Sequence, residues 1–165
     1  MTNSALLLLF PAAMAFAAAM DMLTMTIPNR ISLGLLAAFA IVSPIAGLPT
    51  DIIASHVAAG AIMLAAGIAM FAFGWVGGGD AKLLAAGALW LGLPQLLPFL
   101  LVTGVFGSFL LLALLSYRSY PAAALPIPDW AVRLHRSETG MPYGLAIGAS
   151  GLLLFPYSPL FQALI

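Results

Sequence analysis

Apolar runs recur six times in this chain, at 4–20, 31–49, 53–76, 81–93, 95–116 and 141–163, and nearly every charged residue lies between them. A helix of about 20 apolar residues crosses the hydrocarbon of a bilayer. With 64% hydrophobic and 6% charged residues, the chain cannot build the solvated surface of a soluble globule, since such domains carry roughly 25% charged residues. Most of its surface must face lipid. The fold class expected is all-α: an integral membrane bundle of about six transmembrane helices, with residues 1–165 forming one polytopic domain.

The breaks between runs carry recognisable signals. "IPNR" (27–30) separates the first two runs and "GLPTD" (47–51) the next two, with Thr50 or Asp51 available to cap the third helix. Residues 81–116 would extend about 54 Å as one helix, too long for a single crossing. "GLPQ" (92–95) offers a turn there, because Pro94 disfavours helix at Leu93. The stretch is read as two spans, the first of them short.

Charge placement supports that count. With six spans, the loops after spans one, three and five share one side, and they hold Arg30, Lys82, Arg118, Arg133 and Arg136, every basic residue present. The positive-inside rule then puts these loops in the cytoplasm and both termini outside. The opening run imitates a signal peptide in its Ala-Phe-Ala stretch, but no Lys or Arg precedes it, so a retained first span is expected. Helix packing is expected along Gly60, Gly67 and Gly74, and at Gly144 and Gly148.

Cysteine is absent, which removes disulfides, thiolate zinc sites and a cysteine nucleophile. A net charge of zero gives no indication of a nucleic-acid partner. His56 and His135 lie in separate segments without an HExxH pattern, so no metal or cofactor is expected. His56 is expected to be packed or solvated, and no paired Ser and His motif supports a serine mechanism.

Five acids remain. Asp51 and Asp129 suit helix capping, Asp129 opening a short surface segment, "PDWAVRLHR", and Glu138 is expected to be solvated. The prolines of the surrounding loop, 117–140, argue against one continuous helix, and Trp130 suits the interface. Asp21 and Asp80 differ, each standing at the cytoplasmic end of an apolar run. Brought together, two carboxyls share a proton, so that one activates water and the other protonates a leaving amine. Gly77, Gly78 and Gly79 would let an extended peptide approach Asp80 closely and would end one span and open the next. The competing account is a flexible loop with Asp80 capping the following helix, and periodicity alone leaves both open.

Here the residues resemble a known family. "DMLTMTIPN" (21–29) is similar to the Asp-x5-Ile-Pro-Asn motif of type IV prepilin leader peptidases, and "GGGDAKLLAAGALWLG" (77–92) to their Gly-x-Gly-Asp-x-Lys motif. "MPYGLAIGAS" (141–150) resembles the segment that opens their last helix. The resemblance implies a membrane aspartic protease of the GxGD class, with Asp21 and Asp80 catalytic and no cofactor. Its partner would be a prepilin, cut at the cytoplasmic face of the bacterial inner membrane between basic leader and hydrophobic helix. Pro28, Asn29, Gly77, Gly79 and Lys82 match the first two motifs, Pro142, Tyr143 and Gly144 the third; the last three would line the substrate path, or simply pack the helix start. Lys82 would favour the ionised form of Asp80 or serve as a cytoplasmic anchor.

Larger relatives resemble a fusion with a cysteine-bearing, methylating N-terminal region; this chain looks like the short form of tight-adherence (Flp-type) pilus systems. It also carries "MLTMT" where basic residues are common between Asp and Ile. The rival readings are proton- or ion-coupled transport and a structural part of a pilus assembly platform.

Overall fold

A computed structural model describes residues 4–119, 128–136, 138 and 140–165. Its helices are α1 (Ser4–Thr24), α2 (Asn29–Ile45), α3 (Thr50–Ala72), α4 (Gly78–Leu91), α5 (Leu93–Arg118), α6 (Asp129–His135), α7 (Tyr143–Leu154) and α8 (Pro159–Leu164). α1, α3 and α5 contain stretches long and apolar enough to cross a membrane, and α2 and α7 are shorter apolar helices. The protein is a multi-pass helical membrane bundle.

α4 is the centre of it. Its 14 residues rise about 21 Å, less than the roughly 30 Å of hydrocarbon. α3 packs along it most extensively, α2 and α7 also pack on it, and α1 packs mainly on α7. Ala81 and the whole run Leu83–Leu91 are buried. A helix that is apolar all round belongs in an interior, and here protein surrounds it where lipid would otherwise be. Lipid faces the outer flanks of its neighbours, where Leu8, Phe16, Ile62, Ile68, Leu101 and Phe109 are exposed.

The far end of α4 anchors an aromatic core. Trp90 is fully buried, stacks on Phe10 with ring centroids 5.3 Å apart, and donates its indole N–H to Leu35 O at 2.9 Å. That bond satisfies the polar atom a buried Trp brings with it. His56 is likewise buried, with Nδ1 2.8 Å from Leu89 O and its ring against Phe39.

Glycines set the closest approaches. A Cβ on Gly60 would lie 3.0 Å from Leu89 Cβ, and one on Gly67 2.9 Å from Ala81 Cβ, so α3 rests directly on α4. Gly148 meets α1 in the same way, its Cβ position 2.9 Å from Met14 O. Gly74 departs from the expected stripe: it lies beyond α3 with φ +73° and open space around it, so it turns the chain and packs against nothing.

Several boundaries differ from expectation, each for a local reason. The α4–α5 break falls on Gly92, whose φ of +79° favours glycine; Leu93 is helical and Pro94 sits in the first turn of α5, where its missing N–H costs nothing. The last span is interrupted at Phe155–Tyr157, a 3-10 turn holding Pro156. Neither Thr50 nor Asp51 caps α3: Pro49 is the N-cap, both residues are helical, and no side-chain cap bond forms. Pro128 holds that place for α6, so Asp129 does not cap it. Both acids still lie in first turns, where the helix dipole favours them.

The short segment expected after 128 is α6, with Ala131 and Leu134 buried, Trp130 partly exposed and Glu138 exposed. Arg118 Nε donates to Leu134 O at 2.9 Å and Arg133 Nη1 to Leu23 O at 3.0 Å, tying α6 to the ends of α5 and α1. The expectation for the prolines at 121 and 126 lies outside the described residues.

Candidate functional site

Asp21 stands in the last turn of α1, 5% exposed. The helix ends three residues on, at Thr24: Met25 N bonds back to Asp21 O, and Met25 takes φ +55°, a left-handed conformation costing a non-glycine residue roughly 1–2 kcal/mol. Pro28 then keeps Ile27 out of helix and serves as N-cap of α2 with φ −60° and ψ 133°. The turn between Asp21 and Asn29 is thus short and tightly specified.

Asp80 stands in the first turn of α4, behind Gly77 as N-cap. Gly77 has no side chain with which to cap, and its backbone N–H donates instead to the Asp80 carboxyl, so Asp80 does hold the helix start as the capping account expects, while its Oδ1 stays outside that bond. Gly77 has φ −67°, and Gly78 and Gly79 are helical, so none of the three adopts a conformation reserved for glycine. What they supply is room. A Cβ on Gly77 would meet Asp80 Oδ2 at 2.9 Å, one on Gly78 the Phe71 ring at 3.4 Å, and one on Gly79 Ile27 Cβ at 3.1 Å.

α7 completes the site. Gly144 N donates to Asp21 Oδ2 at 2.7 Å. The position of a Gly144 Cβ lies 2.8 Å from both Asp21 Oδ2 and Ile27 Cδ1. Asp80 Oδ1 is buried without a protein hydrogen-bond partner, an arrangement that is costly for a charged oxygen. The two acids share a neighbour: Ile27 lies against Gly79, which precedes Asp80, and against Gly144, which holds Asp21.

The remaining matched residues divide. Lys82 is exposed, and its Nζ donates to Asn29 Oδ1 at 2.9 Å. Two residues along a helix is about 200° around it, so Lys82 leaves α4 on the side away from Asp80. Pro142 is buried as the N-cap of α7, and Tyr143 packs so closely on α5 that a Cβ on Gly107 would meet its Oη at 2.5 Å. These two hold the start of α7, while Gly144 alone of the trio touches an acid. A cavity of about 800 Å³ opens between α2, α3 and α4, bordered on α4 by Lys82, Ala85, Ala86 and Leu89, the face turned from Asp80.

Sequence reasoning left two participants without a role. Ile27 lies between Gly79 and Gly144, and Arg133 reaches the end of α1. Ile27 was visible only as a motif letter; the signal for its contact is its place before Pro28, in a segment too short to leave the site. Among the described residues no three His, Asp or Glu side chains gather into a metal-binding group.

The fold defines a polytopic helical membrane protein in which the ends of α1, α4 and α7 converge around Ile27, with Asp21 and Asp80 beside it. The model of the type IV leader peptidase family matches residues 8–112, and the chain belongs to that family. Membership implies an aspartic prepilin peptidase and prepilin substrates, and with the membrane helices it suggests the bacterial inner membrane. The match covers the segments around Asp21 and Asp80 and stops short of 141–150. No curated protein and no solved structure matches the chain.

Proposed function

We propose that this protein is a prepilin leader peptidase using Asp21 and Asp80 as its catalytic dyad, the whole chain acting as one domain. One observation carries the reading. Two acids from distant motifs converge around one shared neighbour, Ile27, at one end of the bundle, Asp21 fixed by the Gly144 N–H and Asp80 with one buried oxygen left without a partner.

In this reading the ionised acid takes a proton from water as the water oxygen attacks the scissile carbonyl carbon. The protonated acid then passes its proton to the amide nitrogen as the C–N bond breaks. Backbone donors of the α4 first turn support the oxyanion. The basic residues share this end of the bundle, so the site faces the cytoplasm and the termini lie outside. The proposed subtype is the short Flp-type form; "MLTMT" between Asp21 and Ile27 departs from the basic residues common there and bears on how leaders dock.

The test is coexpression with a Flp-type prepilin and a gel assay for the size shift of leader removal. Asp21→Asn and Asp80→Asn should each abolish the shift while the protein remains inserted. A normal shift with both replaced would overturn the assignment and leave transport or assembly roles in its place.

A further inference from the structure

One side chain links the surroundings of Asp21 and Asp80. Ile27 stands between the first turn of α4 and the first turn of α7. Its Cβ lies 3.1 Å from where a Gly79 Cβ would be, and its Cδ1 2.8 Å from where a Gly144 Cβ would be. Gly79 immediately precedes Asp80, and Gly144 holds Asp21 by its N–H. Both seats are glycine, so the isoleucine bears on main chain, which has no rotamer with which to yield.

Ile27 is itself held from both ends. Behind it Met25 is fixed in a left-handed conformation and bonded to Asp21 O. Ahead of it Pro28 caps α2, and Asn29 accepts the bond from Lys82 Nζ at 2.9 Å. Lys82 belongs to the helix that carries Asp80. The turn is therefore clasped to α4 two residues beyond Ile27 and three beyond Gly79.

We propose that Ile27, clasped by the Lys82–Asn29 hydrogen bond, is the positioning wedge that sets the separation of the Asp21 and Asp80 carboxyl groups. This rests on the dyad reading above. It gives the paired motif residues Asn29 and Lys82 a structural purpose that neither substrate contact nor an ion pair with Asp80 supplies. A wedge acts on the arrangement of the reacting groups, so its loss falls on the chemical step; a displacement of about 1 Å can cost on the order of a hundredfold in rate.

The experiment is steady-state cleavage of a purified prepilin by detergent-solubilised enzyme, with rates normalised to folded protein. Ile27→Ala should lower kcat by about tenfold or more with KM within about twofold, and Ile27→Val should recover most of the rate. Asn29→Ala and Lys82→Met should each lower kcat, and the double variant should lose no more than the worse single one, since one bond is removed in all three. Lys82→Arg, which keeps a donor, should restore the rate. An unchanged kcat in Ile27→Ala would overturn the proposal, as would multiplicative losses in the double variant or a defect confined to KM. Cleavage by Asp21→Asn or Asp80→Asn would instead sink the dyad reading, whatever the wedge variants do.

Discussion

Gly144 donates its backbone N–H to Asp21 Oδ2 at 2.7 Å, so the first turn of α7 fixes an acid contributed by the last turn of α1. The bond exists because position 144 has no side chain: a Cβ there would sit 2.8 Å from that same oxygen. Gly144→Ala should therefore push α7 away from Asp21 and from Ile27. We expect leader cleavage to fall by about tenfold to a hundredfold, the range for misplaced catalytic groups. Gly34→Ala, where nothing lies within 4 Å, is the control and should cleave normally. Measured initial rates of leader removal decide it, and equal rates in the two variants would contradict the geometry.

Asp21→Asn separates fold from chemistry. The amide oxygen of Asn still accepts from Gly144 N, and it does so without a buried charge. The variant should insert, purify and melt within about 1 kcal/mol of wild type, the scale of a single net hydrogen bond, yet show no leader cleavage. A cleavage-defective variant that also failed to accumulate in the membrane would make Asp21 a structural residue instead.

How much of this was legible beforehand depends on what each feature rests on. The six helical segments follow from long apolar runs, and the gathering of basic residues at one end follows from the parity of the crossings. Both are properties a linear reading preserves. The apolar runs put the α4–α5 break at Pro94, two residues past Gly92, because proline chemistry is legible in sequence and the positive φ at Gly92 is not. Asp21 and Asp80 stood out as acids at apolar boundaries, but their approach depends on how α1, α4 and α7 pack. Ile27 was hardest to see. An isoleucine in an apolar chain carries no compositional signal, and its contacts with Gly79 and Gly144 exist only once three helix ends converge.

Gly92→Ala tests the far end of α4. Gly92 joins α4 to α5 at φ +79° and ψ 170°, and a Cβ there would lie 3.0 Å from His56 Nε2. Alanine must adopt a backbone conformation essentially reserved for glycine, at about 1–3 kcal/mol, and must also displace a buried ring whose Nδ1 is bonded to Leu89 O. Together these should lower the thermal midpoint of the detergent-solubilised protein by several degrees. Gly104→Ala is the opposite case: the residue is helical with open space around it, and alanine there should be neutral or stabilising by up to about 1 kcal/mol. If both variants melted alike, the φ at Gly92 would not be what separates the helices.

Trp90→Phe isolates one polar bond within the aromatic core. Phenylalanine keeps a ring against Phe10 and Phe155 but cannot donate to Leu35 O across to α2. The lost hydrogen bond costs about 0.5–1.5 kcal/mol net. The smaller ring also leaves a void at a site with no exposure, and incomplete collapse adds a comparable amount. The sum should appear as reduced thermal stability with leader cleavage nearly unchanged, because Trp90 lies at the end of α4 opposite Asp80. Scanning calorimetry or a thermal-shift assay beside the gel assay gives both readouts. A large loss of cleavage with unchanged stability would mean that the two ends of α4 are mechanically coupled, and α4 would then have to be treated as a moving part of the site.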